Sequence, residues 1–259
     1  MPDTVQIDTT FSRLKSRSSS WFQEFEERFN RTLLVLSTAM ETEAKDYVYA
    51  GSLIALILAA TVLILLALHD WLASVFGVFS AIVLFIVLAL AYGGLTALAL
   101  TILAAWQPLR EGEYTLDHSQ FTLWKVQHVV GELGKVALSL FFPVFARPAF
   151  YALFGARVGQ QVAVAGKILD PQLTVLEDRC VLGEGCTVTS HTMVHDRFIL
   201  RSVRVGSRAT VGIGSILMPG VIIGAGAIVL PGAVLKTGTK VPAGETWGGV
   251  PAARVKAAD

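Results

Sequence analysis

The chain has 259 residues, 53% of them hydrophobic and 16% charged, with a formal net charge of +1 and a mean hydropathy of +0.60. That is too apolar for an ordinary soluble domain and points to membrane segments, while the balanced charge leaves no general attraction to nucleic acid. Cys180 and Cys186 alone make no disulfide framework, and MPDTVQIDTTFSRLKSRSSS lacks the apolar core of a signal peptide.

Residues 1–46 begin polar and then read as an amphipathic segment on the cytoplasmic side. Trp21, Phe22, Phe25 and Phe29 fall at helical spacing against Glu24, Glu26, Glu27 and Arg28. Residues 47–106 read as a transmembrane helical hairpin. Tyr47–Leu68 carries no charge and, at about 1.5 Å per residue, spans roughly 33 Å, enough for a hydrocarbon core. His69 and Asp70 interrupt it, and a second apolar run follows from Trp71 to Trp106, in which Tyr92, Gly93 and Gly94 allow a bend or a close helix contact. So short a connection requires antiparallel helices. Arg13, Lys15, Arg17, Arg28, Arg31 and Lys45 precede the hairpin, Arg110 and Lys125 follow it, and the turn has no basic residue. The positive-inside rule therefore predicts a multi-pass protein of the inner (cytoplasmic) membrane with both termini in the cytoplasm. Residues 107–154 read as a connector of helices on the membrane surface. Pro143 and Pro148 break its apolar run, and Arg147 and Arg157 stand near lipid headgroups.

Residues 155–259 carry a period of six. Val205, Val211, Leu217, Ile223, Val229, Leu235 and Val241 recur at every sixth place, Gly206, Gly212 and Gly224 follow one place on, and Ala209, Ser215, Val221, Ala227, Ala233 and Thr239 stand four places on. Neither a helix nor an alternating strand has this period; it is the hexapeptide β-helix repeat. Each hexapeptide supplies one face of a triangular prism, with the aliphatic side chain inward, the small residue at the corner, and glycine supporting backbone angles that a Cβ would penalise. An earlier set, Val158, Val164, Leu176, Leu182, Val188 and Val194, is broken at Asp170–Pro171. It is also out of register with the later one, so HDRFILRSVR is expected to project from the prism as a loop. Cys180 and Cys186 fall on corner positions and read as packing.

His191 and His195 stand just before that loop, and histidine is the side chain best suited to proton transfer near neutral pH. Asp196, Glu184 and Glu177 are candidates to orient the ring. At the C-terminal end, WGGVPAARVK resembles the Gly-x-Pro-Ala-Lys/Arg ending of hexapeptide acyltransferases, whose last coil borders the coenzyme A groove. Gly248 and Gly249 let a ligand approach the backbone, Pro251 fixes the chain beside Ala252, Trp247 offers a stacking surface, and Arg254 and Lys256 can meet phosphate. The same residues would serve equally to cap the solenoid.

The resemblance implies a membrane α-helical hairpin joined to an all-β left-handed parallel β-helix, a homotrimer, and acetyl-CoA as acyl donor. It also implies a histidine base, His191 with His195 in reserve, acting on a small, carrier-linked or membrane-associated acceptor. Over residues 47–254 the pattern, including Cys180 to His191 as a Cys-x10-His stretch, also resembles the membrane and β-helix module of poly-lysine synthetase-type nonribosomal peptide synthetases. The alternative is a non-catalytic trimeric scaffold that positions partner enzymes at membrane lipid. A zinc hydrolyase resembling γ-class carbonic anhydrases needs three histidines, and the repeat domain has only His191 and His195, so no metal is expected.

Overall fold

The structure is a computed structural model in which residues 43–258 are described. Contacts divide the chain into Met1–Ala44 and Lys45–Asp259, and the architecture below is that of the second unit. The aromatic stripe at Trp21–Phe29 lies outside the described residues.

Helix α1 spans Ala44–Phe76 and helix α2 spans Ser80–Trp106, joined by a single 3-10 turn at Gly77–Phe79. Tyr49, Ser52 and Leu53 of α1 share one cleft with Leu103 and Gln107, so the chain doubles back on itself. The turn falls at Gly77, whose φ of +52° suits glycine, and not at His69–Asp70 as the sequence suggested. His69 and Asp70 ride on the exposed side of the uninterrupted α1, where a helix tolerates them. The most apolar 18-residue window of this stretch is only 11% buried within the protein, with Leu56, Leu63, Leu66, Phe85, Leu98 and Ile102 facing outward. Length and composition qualify it to cross a membrane.

Helix α3 (Ser119–Ser139) packs antiparallel on α2 through small residues. Gly93 of α2 faces Leu138, Gly134 of α3 faces Thr96, and Gly131 faces Leu100, and a Cβ at Gly93 or Gly134 would overlap its neighbour. Lys125 of α3 pairs with Asp46 at the start of α1, tying those two helices together. Helix α4 (Arg147–Leu153) then covers the first coil of the prism. Its Tyr151 hydroxyl donates to the Gly166 carbonyl at 3.3 Å and accepts from the Ile168 amide at 3.2 Å.

From Arg157 onward the chain winds into parallel coils stacked as three sheets of five, six and four strands. The six-residue period places Val164, Ile168, Leu176, Leu182, Val188, Val205, Val211, Leu217, Ile223, Val229, Leu235 and Val241 in the interior, each at most 2% exposed. Each such side chain contributes about 1.5–3 kcal/mol by leaving water. Cys180, Cys186, Ala209, Ser215, Val221, Ala227 and Ala233 fill the corners, all fully buried.

The glycines do two different jobs. Gly206, Gly212 and Gly224, directly after the inward residue, have ordinary φ values, but a Cβ there would strike the backbone of the next coil. The left-handed backbone conformation instead belongs to Gly214, Gly220, Gly226, Gly232, Gly238 and Gly244 at the turns (φ +67° to +76°). Coil spacing, and not backbone angle, therefore dictates the glycines that mark the repeat.

Two interruptions leave the prism. After Ile168 the chain makes a 3-10 turn at Pro171–Leu173 before rejoining at Thr174. After Val188 it leaves as an antiparallel hairpin, His191–Val194 paired with Arg197–Leu200, and returns at Val203. Val194 therefore stands exposed on the hairpin and not in the inward column that the six-residue spacing predicts. The hairpin gains a third strand from the connector, Gly112–Thr115, antiparallel to Arg197–Leu200.

Candidate active site

The connector helix, the break at Asp170 and the projecting hairpin converge on one point. Asp170, 5% exposed, turns its carboxylate from the first coil toward α3. Its Oδ1 accepts from Trp124 Nε1 at 2.9 Å, and its Oδ2 accepts from the Ser190 amide at 2.9 Å. His191 Nδ1 stands 2.6 Å from Oδ2, and His128 Nδ1 stands 3.7 Å from Oδ1. Burial alone would raise the Asp170 pKa. The nearby His128 and His191 rings and the hydrogen bond from the Trp124 indole together outweigh that and hold the carboxyl far below its usual range.

An ionised carboxylate at Nδ1 fixes the His191 ring with Nδ1–H donating, which leaves the Nε2 lone pair free to take a proton. The Trp124 ring lies 4.4 Å from His191 and 4.9 Å from His128, and Phe198 of the hairpin packs on Trp124 at 4.8 Å. Phe121, Trp124, Leu173, Phe198 and Leu200 form a separate small core that clamps helix, break and hairpin together. Each irregularity of the repeat thus contributes one wall.

His128, Asp170 and His191 also form a set of metal-ligand type, their donor atoms within 4.8 Å of one another. Their spacing fits a hydrogen-bonded relay better. Ligands of one tetrahedral zinc, held at about 2.0–2.1 Å, lie roughly 3.3 Å apart. The His191–Asp170 approach is 2.6 Å, and both Asp170 oxygens already accept N–H donors.

Of the residues singled out from sequence, His191 lies in this cluster and His195 does not. His195 sits with Asp196 in the exposed hairpin turn, at φ +52°. None of the three proposed orienting carboxylates meets His191. Glu177 holds the Ser207 amide and hydroxyl at 3.1 Å, and Glu184 and Asp196 are exposed. Asp170 takes that place, with His128 and Trp124 beside it. Sequence reasoning treated Asp170 only as a break and the other two as connector; the signal available was that an aspartate interrupts the period where no apolar residue is needed.

Trp247 pairs in register with Val229, placing its ring on the inward column of the last coil, where it packs against the core. Its indole donates to Glu245 Oε2 at 2.8 Å, and Arg254 lies 3.5 Å from Glu245 Oε1. Gly248 lies against Leu230, while Gly249 and Pro251 form an exposed turn before Ala252–Lys256 folds back antiparallel to Thr246–Gly249. Trp247 thus closes the end of the prism, the capping role the sequence also allowed. Burial pushes the Cys180 thiol up to about 12 and the Cys186 thiol up to about 11, as expected of corner packing.

Residues 202–237 match the family described as bacterial transferase hexapeptide (six repeats). The repeat over these residues is accordingly of the hexapeptide type, wound here into parallel coils. Among solved structures, the chain is similar to a galactoside acetyltransferase in complex with coenzyme A, with 13% identity and a TM-score of 0.46 over 62% of this chain and 91% of that one. A maltose O-acetyltransferase from Clostridium difficile 630 shares 15% identity, with a TM-score of 0.42 over 58% and 95% of the two chains. A hexapeptide-repeat acetyltransferase from Vibrio cholerae, complexed with acetyl coenzyme A, shares 20% identity with a TM-score of 0.37; the match covers 40% of this chain and 61% of that one. No curated protein matches the chain.

Proposed function

We propose that this chain is a membrane-anchored, acetyl-CoA-dependent acyltransferase in which His191 is the general base. The observation that carries the reading is the buried Asp170 carboxylate 2.6 Å from His191 Nδ1, which leaves Nε2 as the basic nitrogen. Nε2 takes the proton of an acceptor hydroxyl or amine as it attacks, and the resulting imidazolium, stabilised by Asp170, returns a proton to the departing thiolate. Acetyl-CoA supplies the activated acyl group. The exposed Gly249–Pro251 turn and Ala252, closed below by Trp247 and Gly248, are the residues of this chain that would border it, on the strength of the sequence motif. In this reading α1 and α2 cross the cytoplasmic membrane, the prism lies in the cytoplasm, and prisms associate as homotrimers.

His191→Ala should abolish acyl transfer while leaving the coil intact; acyl transfer by that variant at the wild-type rate would remove the assignment. Acetyl-CoA at 100 times its dissociation constant should stabilise the protein by about 2.7 kcal/mol. No thermal shift at such concentrations would favour the scaffold alternative.

A further inference from the structure

We propose that the cleft between the end of α2 and the first face of the prism binds the phosphate of a membrane-embedded phosphorylated lipid, which presents the acyl acceptor; that last clause rests on the acyltransferase reading. The cleft holds about 600 Å³, within the range of small-molecule sites. One wall is apolar, built from Leu100, Thr101 and Ala104 in the last turns of α2 and from Phe154. The other wall is cationic. Arg157 and Arg204 project from the same outward column of the first face, in register through Val175. Coils stack about 4.8 Å apart, so two intervals separate the two arginine backbones by roughly 10 Å, a span that two long side chains close around a phosphate. Arg110 enters from the connector.

The charge is unbalanced. Arg204 lies 3.5 Å from Glu177, and Glu111 accepts from the Ser202 hydroxyl at 2.7 Å. Arg110 and Arg157 have no carboxylate partner among the described residues. A lipid fits the place of the cleft, which opens at the last turns of α2, the second half of the apolar stretch long enough to cross a membrane.

The cleft also adjoins a cavity at Asp170. Leu100, Leu109, Phe154 and Gln172 line both it and a second cavity of about 30 Å³, which ends on His128 and Asp170. That space admits about one water, or one hydroxyl or amine, and nothing larger. A headgroup phosphate on the arginines therefore sets the rest of the headgroup beside the cavity that ends on His128 and Asp170, the partner of His191.

The test uses the full chain in phosphatidylcholine nanodiscs with fluorescent phosphatidic acid as the probe. Saturable binding is expected, weakened at least about tenfold by Arg157→Ala with Arg204→Ala. Lys240→Ala, two coils further along the same face, should leave it unchanged. Equal binding by wild type and the double variant overturns the proposal. Equal displacement by glycerol phosphate and by the lipid also overturns it, marking a site for soluble phosphate. The acetyl-CoA thermal shift, read on the same samples, separates the two readings. Lost lipid binding with the shift retained sinks the cleft alone, whereas lipid binding without the shift keeps the phosphate site and removes its role as acceptor.

Discussion

Asp170→Asn replaces one carboxylate oxygen by NH2 and tests the site directly. In the wild type the two carboxylate oxygens accept from Trp124 Nε1 and the Ser190 amide, both at 2.9 Å, with His191 at 2.6 Å. An amide has one oxygen and one NH2, so in either orientation an N–H group faces an N–H group. Trp124 is 6% exposed and Ser190 is fully buried, so neither donor has bulk solvent to turn to. A buried unsatisfied donor costs about 1–3 kcal/mol, and the lost charge assistance about 1 kcal/mol more, giving roughly 2–4 kcal/mol. At about 2–4 °C per kcal/mol for a unit of this size, Tm should fall by roughly 4–16 °C. Acyl transfer should fall about 10²–10⁴-fold, because the His191 tautomer is no longer enforced. Thermal denaturation in detergent and release of free thiol from acetyl-CoA measure the two effects. Asp196→Asn, in the exposed hairpin turn, is the matched control and should change neither. A Tm within about 1 °C of wild type together with acyl transfer within about twofold would refute the argument.

The Asp170 pKa is depressed on folding, so its stabilisation is complete above the ordinary carboxylate range and is lost as pH falls through and below it. Wild type should therefore lose stability on acidification below about pH 4, and the Asp170→Asn protein should show a shallower slope in urea titrations at each pH. Cys180 and Cys186, fully buried with thiols raised to about 12 and about 11, should resist iodoacetamide at neutral pH until the prism unfolds; mass spectrometry showing rapid native labelling would contradict the corner packing. Leu217→Ala, at a fully buried position, should cost about 2–5 kcal/mol in chemical denaturation, whereas Ile213→Ala, 62% exposed on the same coil, should cost under about 0.5 kcal/mol.

The prism was legible because its period is local: every inward residue from Val205 to Val241 follows from counting sixes. What counting missed is where the chain stops obeying the count. Val194 satisfies the spacing, yet the hairpin that starts at His191 has already carried it out of the column. The Gly112–Thr115 strand is four residues long and pairs with residues 82 to 88 positions away, so no local pattern announces it. The same holds for Trp124 and His128, which reach Asp170 only because α3 lies between α2 and the first coils. His69 and Asp70 looked like a turn because they interrupt an apolar run, but polarity alone does not end a helix, whereas the left-handed backbone at Gly77 does. Composition showed how much of the molecule is apolar; only the tertiary path showed which polar groups meet.

A stack of identical rungs has an inherent hazard: its last rung offers unpaired backbone groups on which another copy can be laid. The strand Ala252–Lys256 runs in the opposite direction beside Thr246–Gly249, so a newcomer in the parallel sense finds that edge occupied. Tyr151 performs the corresponding service at the opposite end, occupying the Gly166 carbonyl and the Ile168 amide. Two terminators of unrelated shape, one a reversed strand and one a helix, each close one of the three sheet edges at their end of the stack.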